Sequence, residues 1–192
     1  MTTTNVLITG DSFAANGTLL GQIYAQTGDA EHSIQFQGSQ IADSVYAHEG
    51  YPGITSHGLN LKMATITAAY PSVDIYVPIV GKNDVLIGFS PDVTLQGIRS
   101  IITAINQAQP TAKIVLPYLP PVGFPTEQDA VMAINRGLRE ARLMPNVYPV
   151  LMRSTTTAQL AAELSSDGVH LTGTGYSILA GAIAEAIRPI RH

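Results

Sequence analysis

The chain of 192 residues is 45% hydrophobic and only 12% charged, with a formal net charge of −4. Such a composition excludes disorder, and the length predicts one domain, 1–192, with a sizeable core. The mild acidity, with an isoelectric point near 5.6, excludes the basic surface that a nucleic-acid partner needs.

The lack of cysteine removes disulfides, thiolate metal sites and a cysteine nucleophile, and it fits any compartment. Residues 1–5 carry no positive charge and lead straight into the first strand, so no signal peptide is expected within this chain. Localisation stays open between the cytoplasm and an excised extracellular domain. The longest apolar stretches, 75–80 and 178–187, are short or interrupted by Glu185, so no membrane partner is expected.

The first β-branched run predicts a strand over 6–9. Gly10-Asp11-Ser12-Phe13 follows at once, the glycine allowing a tight turn before a helix predicted over 14–26. A serine hydroxyl at such a tip is a candidate nucleophile when a base and an orienting carboxylate reach it. Otherwise Ser12 is a helix N-cap. A second strand over 34–37 leads through Glu49-Gly50-Tyr51-Pro52-Gly53 to a helix over 56–69. Gly53 offers close backbone approach and an N–H donor, or else a plain Pro-Gly turn.

The third strand, 74–78, precedes Gly81-Lys82-Asn83-Asp84. The Asn83 amide is a candidate donor to a developing oxyanion, a contact that contributes about 3–4 kcal/mol in a transition state. The alternative is an Asn-Asp turn. A phosphate loop is excluded, because Tyr76 stands where a glycine is required and Asn83 where a serine or threonine is.

A helix over 92–109, a strand over 113–117, a helix over 127–143, a strand over 147–151 and a helix over 156–162 come next. Asp167-Gly168-Val169-His170 then sets a carboxylate and an imidazole three positions apart, before a last helix over 173–187. These two residues are the candidate partners of Ser12, or a turn former and a surface residue at a helix start. Repeated β-then-α order predicts a three-layer α/β/α sandwich around a five-stranded, mostly parallel sheet. Ligands of such sheets bind beyond the carboxyl ends of the strands, where Ser12, Asn83 and the 167–170 segment fall. Gly-x-Ser-x-Gly and a strand-following Gly-x-Gly-x-x-Gly are absent, which excludes the α/β-hydrolase elbow and a dinucleotide site. His32, His48 and His57 lack metal-ligand spacing and read as loop residues, and Asp74 and Asp84 as structural.

Taken together, four segments resemble the blocks of the GDSL/SGNH hydrolases, in family order: Gly10-Asp11-Ser12, Gly53, Gly81-Lys82-Asn83-Asp84 and Asp167-Gly168-Val169-His170. Phe36-Gln37-Gly38-Ser39-Gln40 and His48-Glu49-Gly50-Tyr51-Pro52-Gly53 are similar to the corresponding stretch of acetylxylan-type carbohydrate esterases. Two positions depart from the common pattern. Phe13 stands where many members have leucine, and Lys82 occupies a variable position, expected at the rim of the pocket.

The resemblance implies a flavodoxin-like fold, with Ser12 as nucleophile, His170 as general base and then acid, and Asp167 as orienter of the imidazole. It implies an oxyanion hole from the backbone N–H groups of Ser12 and Gly53 and the amide of Asn83. It implies no metal and no organic cofactor. Asp11, Tyr51, Lys82 and Val169, which belong to the same segments, are candidates for substrate binding. The expected activity is a serine esterase removing short acyl groups, above all O-acetyl, from a small-molecule or carbohydrate ester at an open, shallow site. The alternatives are a lipolytic or thioester-cleaving hydrolase, and a non-catalytic carbohydrate-binding domain.

Overall fold

The computed structural model describes residues 2–151 and 167–191. Strand β1 (Thr2–Gly10) lies at the heart of the sheet. On one side of it come β5 (Ile75–Ile79), β6 (Lys113–Pro117) and β7 (Val147–Val150), all parallel. On the other side β2 (His32–Gln37) pairs with residues 2–7 of β1. β4 (Tyr46–Gly50) takes over beside Thr9 and Gly10. A short strand, β3 (Gln40–Ala42), forms an antiparallel hairpin with β4.

Among the described residues the sheet therefore has seven strands where five were expected. The hairpin escapes the sequence pattern because its turn is Asp43-Ser44, with no glycine. Both residues stand at positive φ, 49° and 60°, and the Val45 N–H donates to the Ala42 carbonyl at 3.1 Å. Left-handed conformations of this kind suit hairpin turns but are usually signalled by Asn-Gly or Asp-Gly. His48 accordingly lies in β4 rather than in a loop, and His32 opens β2.

Helices cover both faces. α1 (Gly17–Thr27) and α6 (Gly173–Ile187) pack together on one; α2 (Ser56–Ala69), α4 (Pro91–Ala108) and α5 (Pro125–Arg139) pack on the other. His57, expected in a loop, lies in the first turn of α2. A single turn, α3 (Lys82–Leu86), follows β5. α1 begins later than its apolar pattern implies because Asn16 caps it, accepting from the Leu19 N–H at 3.0 Å. Pro91 and Pro125 open α4 and α5, where a missing N–H costs nothing. The helix expected over 127–143 ends at Arg139 and continues as a 3-10 turn, Glu140–Leu143. The helix expected over 156–162 lies outside the described residues.

Alternation along the strands sorts the core into two layers. Val6, Ile8, Ile75, Val77, Ile79 and Val115 face α1 and α6. Leu7, Tyr76, Ile114 and Leu116 face α2, α4 and α5.

Candidate active site

The loop after β1 is shaped by backbone contacts. A Cβ at Gly10 would fall 1.9 Å from the Ile79 carbonyl oxygen, so only glycine lets β1 end against β5. The Asp11 N–H donates to that carbonyl at 3.0 Å, and the Asp11 carboxylate accepts from the Phe13 N–H at 2.9 Å. The turn leaves Ser12 half-buried between two fully buried residues.

His170 Nε2 lies 3.1 Å from Ser12 Oγ, and His170 Nδ1 lies 2.7 Å from Asp167 Oδ2. The other oxygen of Asp167 accepts the N–H groups of Val169 at 2.8 Å and His170 at 2.9 Å. One carboxylate thus shapes the loop and addresses the ring. With its proton on Nδ1, the imidazole presents a lone pair to the Ser12 hydroxyl. The two side chains are 44% and 51% exposed, so their charge attraction is largely screened by water and orientation is the larger part of what Asp167 provides.

The Tyr51–Gly53 segment is tied to the end of β1 by the Tyr51 N–H, which donates to the Gly10 carbonyl at 2.7 Å. Gly53 stands at φ 83° with open space around its Cβ position. Asn83 in α3 donates through Nδ2 to the Ile54 carbonyl at 3.0 Å, which fixes the amide plane. Its neighbour Asp84, fully buried, accepts from the N–H of Ser56 at 2.8 Å and from the Ser56 hydroxyl, joining α3 to the start of α2.

Two supports of this segment had no signature in the sequence. The Glu49 carboxylate accepts from the Ser39 N–H at 2.7 Å, the Tyr70 hydroxyl at 2.8 Å and the Tyr51 hydroxyl. Burial raises the pKa of Glu49, but the Tyr51, Ser39 and Tyr70 donors outweigh it and leave the group below the ordinary carboxylate value. His48 Nδ1 accepts the Gly50 N–H at 2.9 Å, which requires the neutral ring that burial also favours. Both residues stand shortly before Gly50, outside any β-branched run, so pattern alone reads them as loop.

Ser12, Gly53, Asn83, Asp167 and His170 line one pocket of about 290 Å³, with Asp11, Lys82 and Val169 also against it. Tyr51 does not; it lines a separate cavity of about 270 Å³, where the Lys62 ammonium stands 4.5 Å from its ring centroid. Lys82 is not at the rim. It is 1% exposed, and its ammonium donates to the carbonyls of Pro121, at 2.8 Å, and Val169. The cost of burying its charge is offset by those acceptors and by the face of Phe13, 4.7 Å away. Burial pushes Lys82 down to about 7, against the opposing pull of the Asp11 and Asp167 charges. Burial likewise pushes Asp11 up to about 7, against the Phe13 N–H and the charges of Lys82 and His170.

The profile of the GDSL-like lipase/acylhydrolase family matches residues 8–178, a span that holds all of these side chains. The chain belongs to this family. It is a carboxylic ester hydrolase on an α/β fold with a mostly parallel sheet. No curated protein sequence matches it significantly. Among solved structures, a family 3 carbohydrate esterase from Talaromyces cellulolyticus is similar at a TM-score of 0.83 and 21% identity, over 97% of this chain and 98% of that one. A serine-to-alanine mutant of an acetyl esterase, solved with acetate ion, gives 0.81 and 19% over 97% and 98%. The Clostridium thermocellum family 3 carbohydrate esterase gives 0.77 and 22% over 98% and 97%. At these identities the likeness is one of fold.

Proposed function

We propose that this enzyme removes small acyl groups, acetyl above all, from carbohydrate hydroxyls, with Ser12 as nucleophile, His170 as base and Asp167 as orienter. The observation that carries the reading is the contact series Ser12 Oγ to His170 Nε2 at 3.1 Å and His170 Nδ1 to Asp167 Oδ2 at 2.7 Å. As Ser12 Oγ attacks the acyl carbon, its proton passes to His170 Nε2, and Asp167 supports the imidazolium. The Ser12 and Gly53 N–H groups and the second N–H of the Asn83 amide receive the oxyanion. His170 then returns the proton to the sugar oxygen as it leaves. Water repeats the sequence on the acyl-enzyme and releases the acid. The base activates the nucleophile by itself, so no cofactor is required.

The small, open pocket and the likeness to proteins described as acetyl and family 3 carbohydrate esterases support the acetyl-carbohydrate assignment. A second reading, a lipolytic or thioester-cleaving hydrolase, is favoured by apolar side chains beside the pocket. Leu86 lines it, Ile87 follows exposed, and exposed Phe124 packs on Gly168. A series of p-nitrophenyl esters from acetate to octanoate, run with acetylated xylan and acetylated monosaccharides, decides between them. Falling turnover with chain length and release of acetate from the saccharides are expected. A preference for octanoate overturns the acetyl assignment, and undiminished activity in Ser12→Ala overturns the mechanism.

A further inference from the structure

Phe13 and Lys82 are the two departures from the family pattern noted in the sequence, and in the fold they meet. The Lys82 ammonium lies 4.7 Å from the centroid of the Phe13 ring. That ring lies 5.9 Å from the ring of His170, tilted by 30°. The ammonium has three hydrogens. Two go to the carbonyls of Pro121 and Val169, and the third side of the cation rests on the aromatic face. A lysine satisfied in this way has no donor to offer a substrate, although it borders the pocket.

The Val169 carbonyl belongs to the same peptide unit as the His170 N–H, and a peptide unit is planar. That N–H donates to Asp167 at 2.9 Å. The plane from which the imidazole grows is therefore gripped at both ends, by Lys82 at its oxygen and by Asp167 at its nitrogen. Pro121 ties the same ammonium to the segment after β6, whose Gly123 N–H donates to the Gly168 carbonyl at 2.8 Å. Lys82 thus touches the neighbour of Ser12 and the neighbour of His170, and it precedes Asn83 in the chain.

We infer that Lys82, seated on Phe13, is a positioning residue that holds the His170 ring in line with Ser12. The inference rests on the mechanism proposed above. Small displacements of a reacting group are costly, an error near 1 Å slowing a reaction by about 100-fold. Lys82→Met keeps the length and apolar stem of the side chain and removes its charge and donors; Lys82→Arg restores both.

The two variants and the parent are compared for kcat and KM on p-nitrophenyl acetate, with near-ultraviolet circular dichroism to establish the fold. Lys82→Met is expected to lower kcat about 10- to 100-fold with KM within about twofold of the parent, and Lys82→Arg to recover most of the loss. A folded Lys82→Met with kcat within about twofold of the parent overturns the inference. So does a rise in KM with unchanged kcat, which makes Lys82 a substrate contact. If Lys82→Met does not fold, Phe13→Leu serves instead. It retains an apolar side chain but removes the face under the cation, and an unchanged kcat there overturns the inference as well. Ser12→Ala separates the two levels. If it stays active, the mechanism fails and takes this inference with it; if it is inactive while Lys82→Met is unimpaired, only the inference fails.

Discussion

Replacing Asp167 by asparagine changes one atom and, by the geometry of the loop, the position of a proton on another residue. One side-chain oxygen of Asp167 receives two backbone N–H groups, at 2.8 and 2.9 Å. An asparagine must leave its carbonyl oxygen there, because reversing the amide would set donors against donors. Its NH2 group then faces His170 Nδ1 at the 2.7 Å now occupied by Oδ2. Nδ1 is forced to accept, so the ring proton moves to Nε2 and points at Ser12 Oγ, where an acceptor is needed.

The half-exposed ion pair itself accounts for little, about 1 kcal/mol or less. The wrong tautomer accounts for the rest, and in serine-protease relays the same change costs about 10⁴ in kcat, or about 5.5 kcal/mol of barrier. We expect a loss of about 10³- to 10⁴-fold in kcat on p-nitrophenyl acetate with KM little changed. The two loop hydrogen bonds survive, so the melting temperature should move by no more than about 4 °C. A loss smaller than about tenfold refutes the reasoning, because the ring would then be held in its reactive form by something other than Asp167.

Asn83→Ala removes one donor while α3 keeps the Asp84 link to Ser56; kcat should fall about 10²- to 10³-fold, read in the same assay, with urea unfolding showing a loss of only about 1 kcal/mol for the broken Ile54 hydrogen bond. Asp11→Asn probes the buried acid behind Ser12. Because burial raises the folded pKa of Asp11 from 3.8 to about 7, the stability it contributes is fully present below about pH 4 and lost as pH rises through about 7. The variant lacks that loss, so urea unfolding should show it gaining about 3 kcal/mol on the parent between pH 5 and pH 8. Parallel stability profiles would contradict the assignment.

Chain order, parallel pairing and the two helical layers were legible because buried strands and amphipathic helices leave regular apolar patterns. Ser12, Asp167, His170, Gly53 and Asn83 were legible as loop residues beyond strand ends, and the fold brings all five to one pocket. What escaped was set by backbone conformation or by burial of polar groups, neither of which has a period. The Asp43-Ser44 turn carries no glycine, so the hairpin that delivers Gly50 to β1 was invisible. Lys82 read as a residue of the pocket rim, because lysine is seldom fully buried; only the convergence of two carbonyls and an aromatic face accommodates it inside. Tyr51 read as a pocket residue from its nearness to Gly53, yet its hydroxyl turns away to Glu49.

The two core layers divide the proposed chemistry between them. Phe13, Leu171 and Tyr176, which flank the attacking hydroxyl and its base, belong to the layer under α1 and α6. Tyr51, Ile54 and Val85, which flank the charge-receiving groups, belong to the layer under α2, α4 and α5. Apart from the Ser12 N–H and the Lys82 tie, which join the two, proton transfer and charge stabilisation therefore lean on opposite faces of the sheet. Loosening one layer would disturb one half of the reaction more than the other, so distant core substitutions should fall into two kinetic kinds according to the side on which they lie.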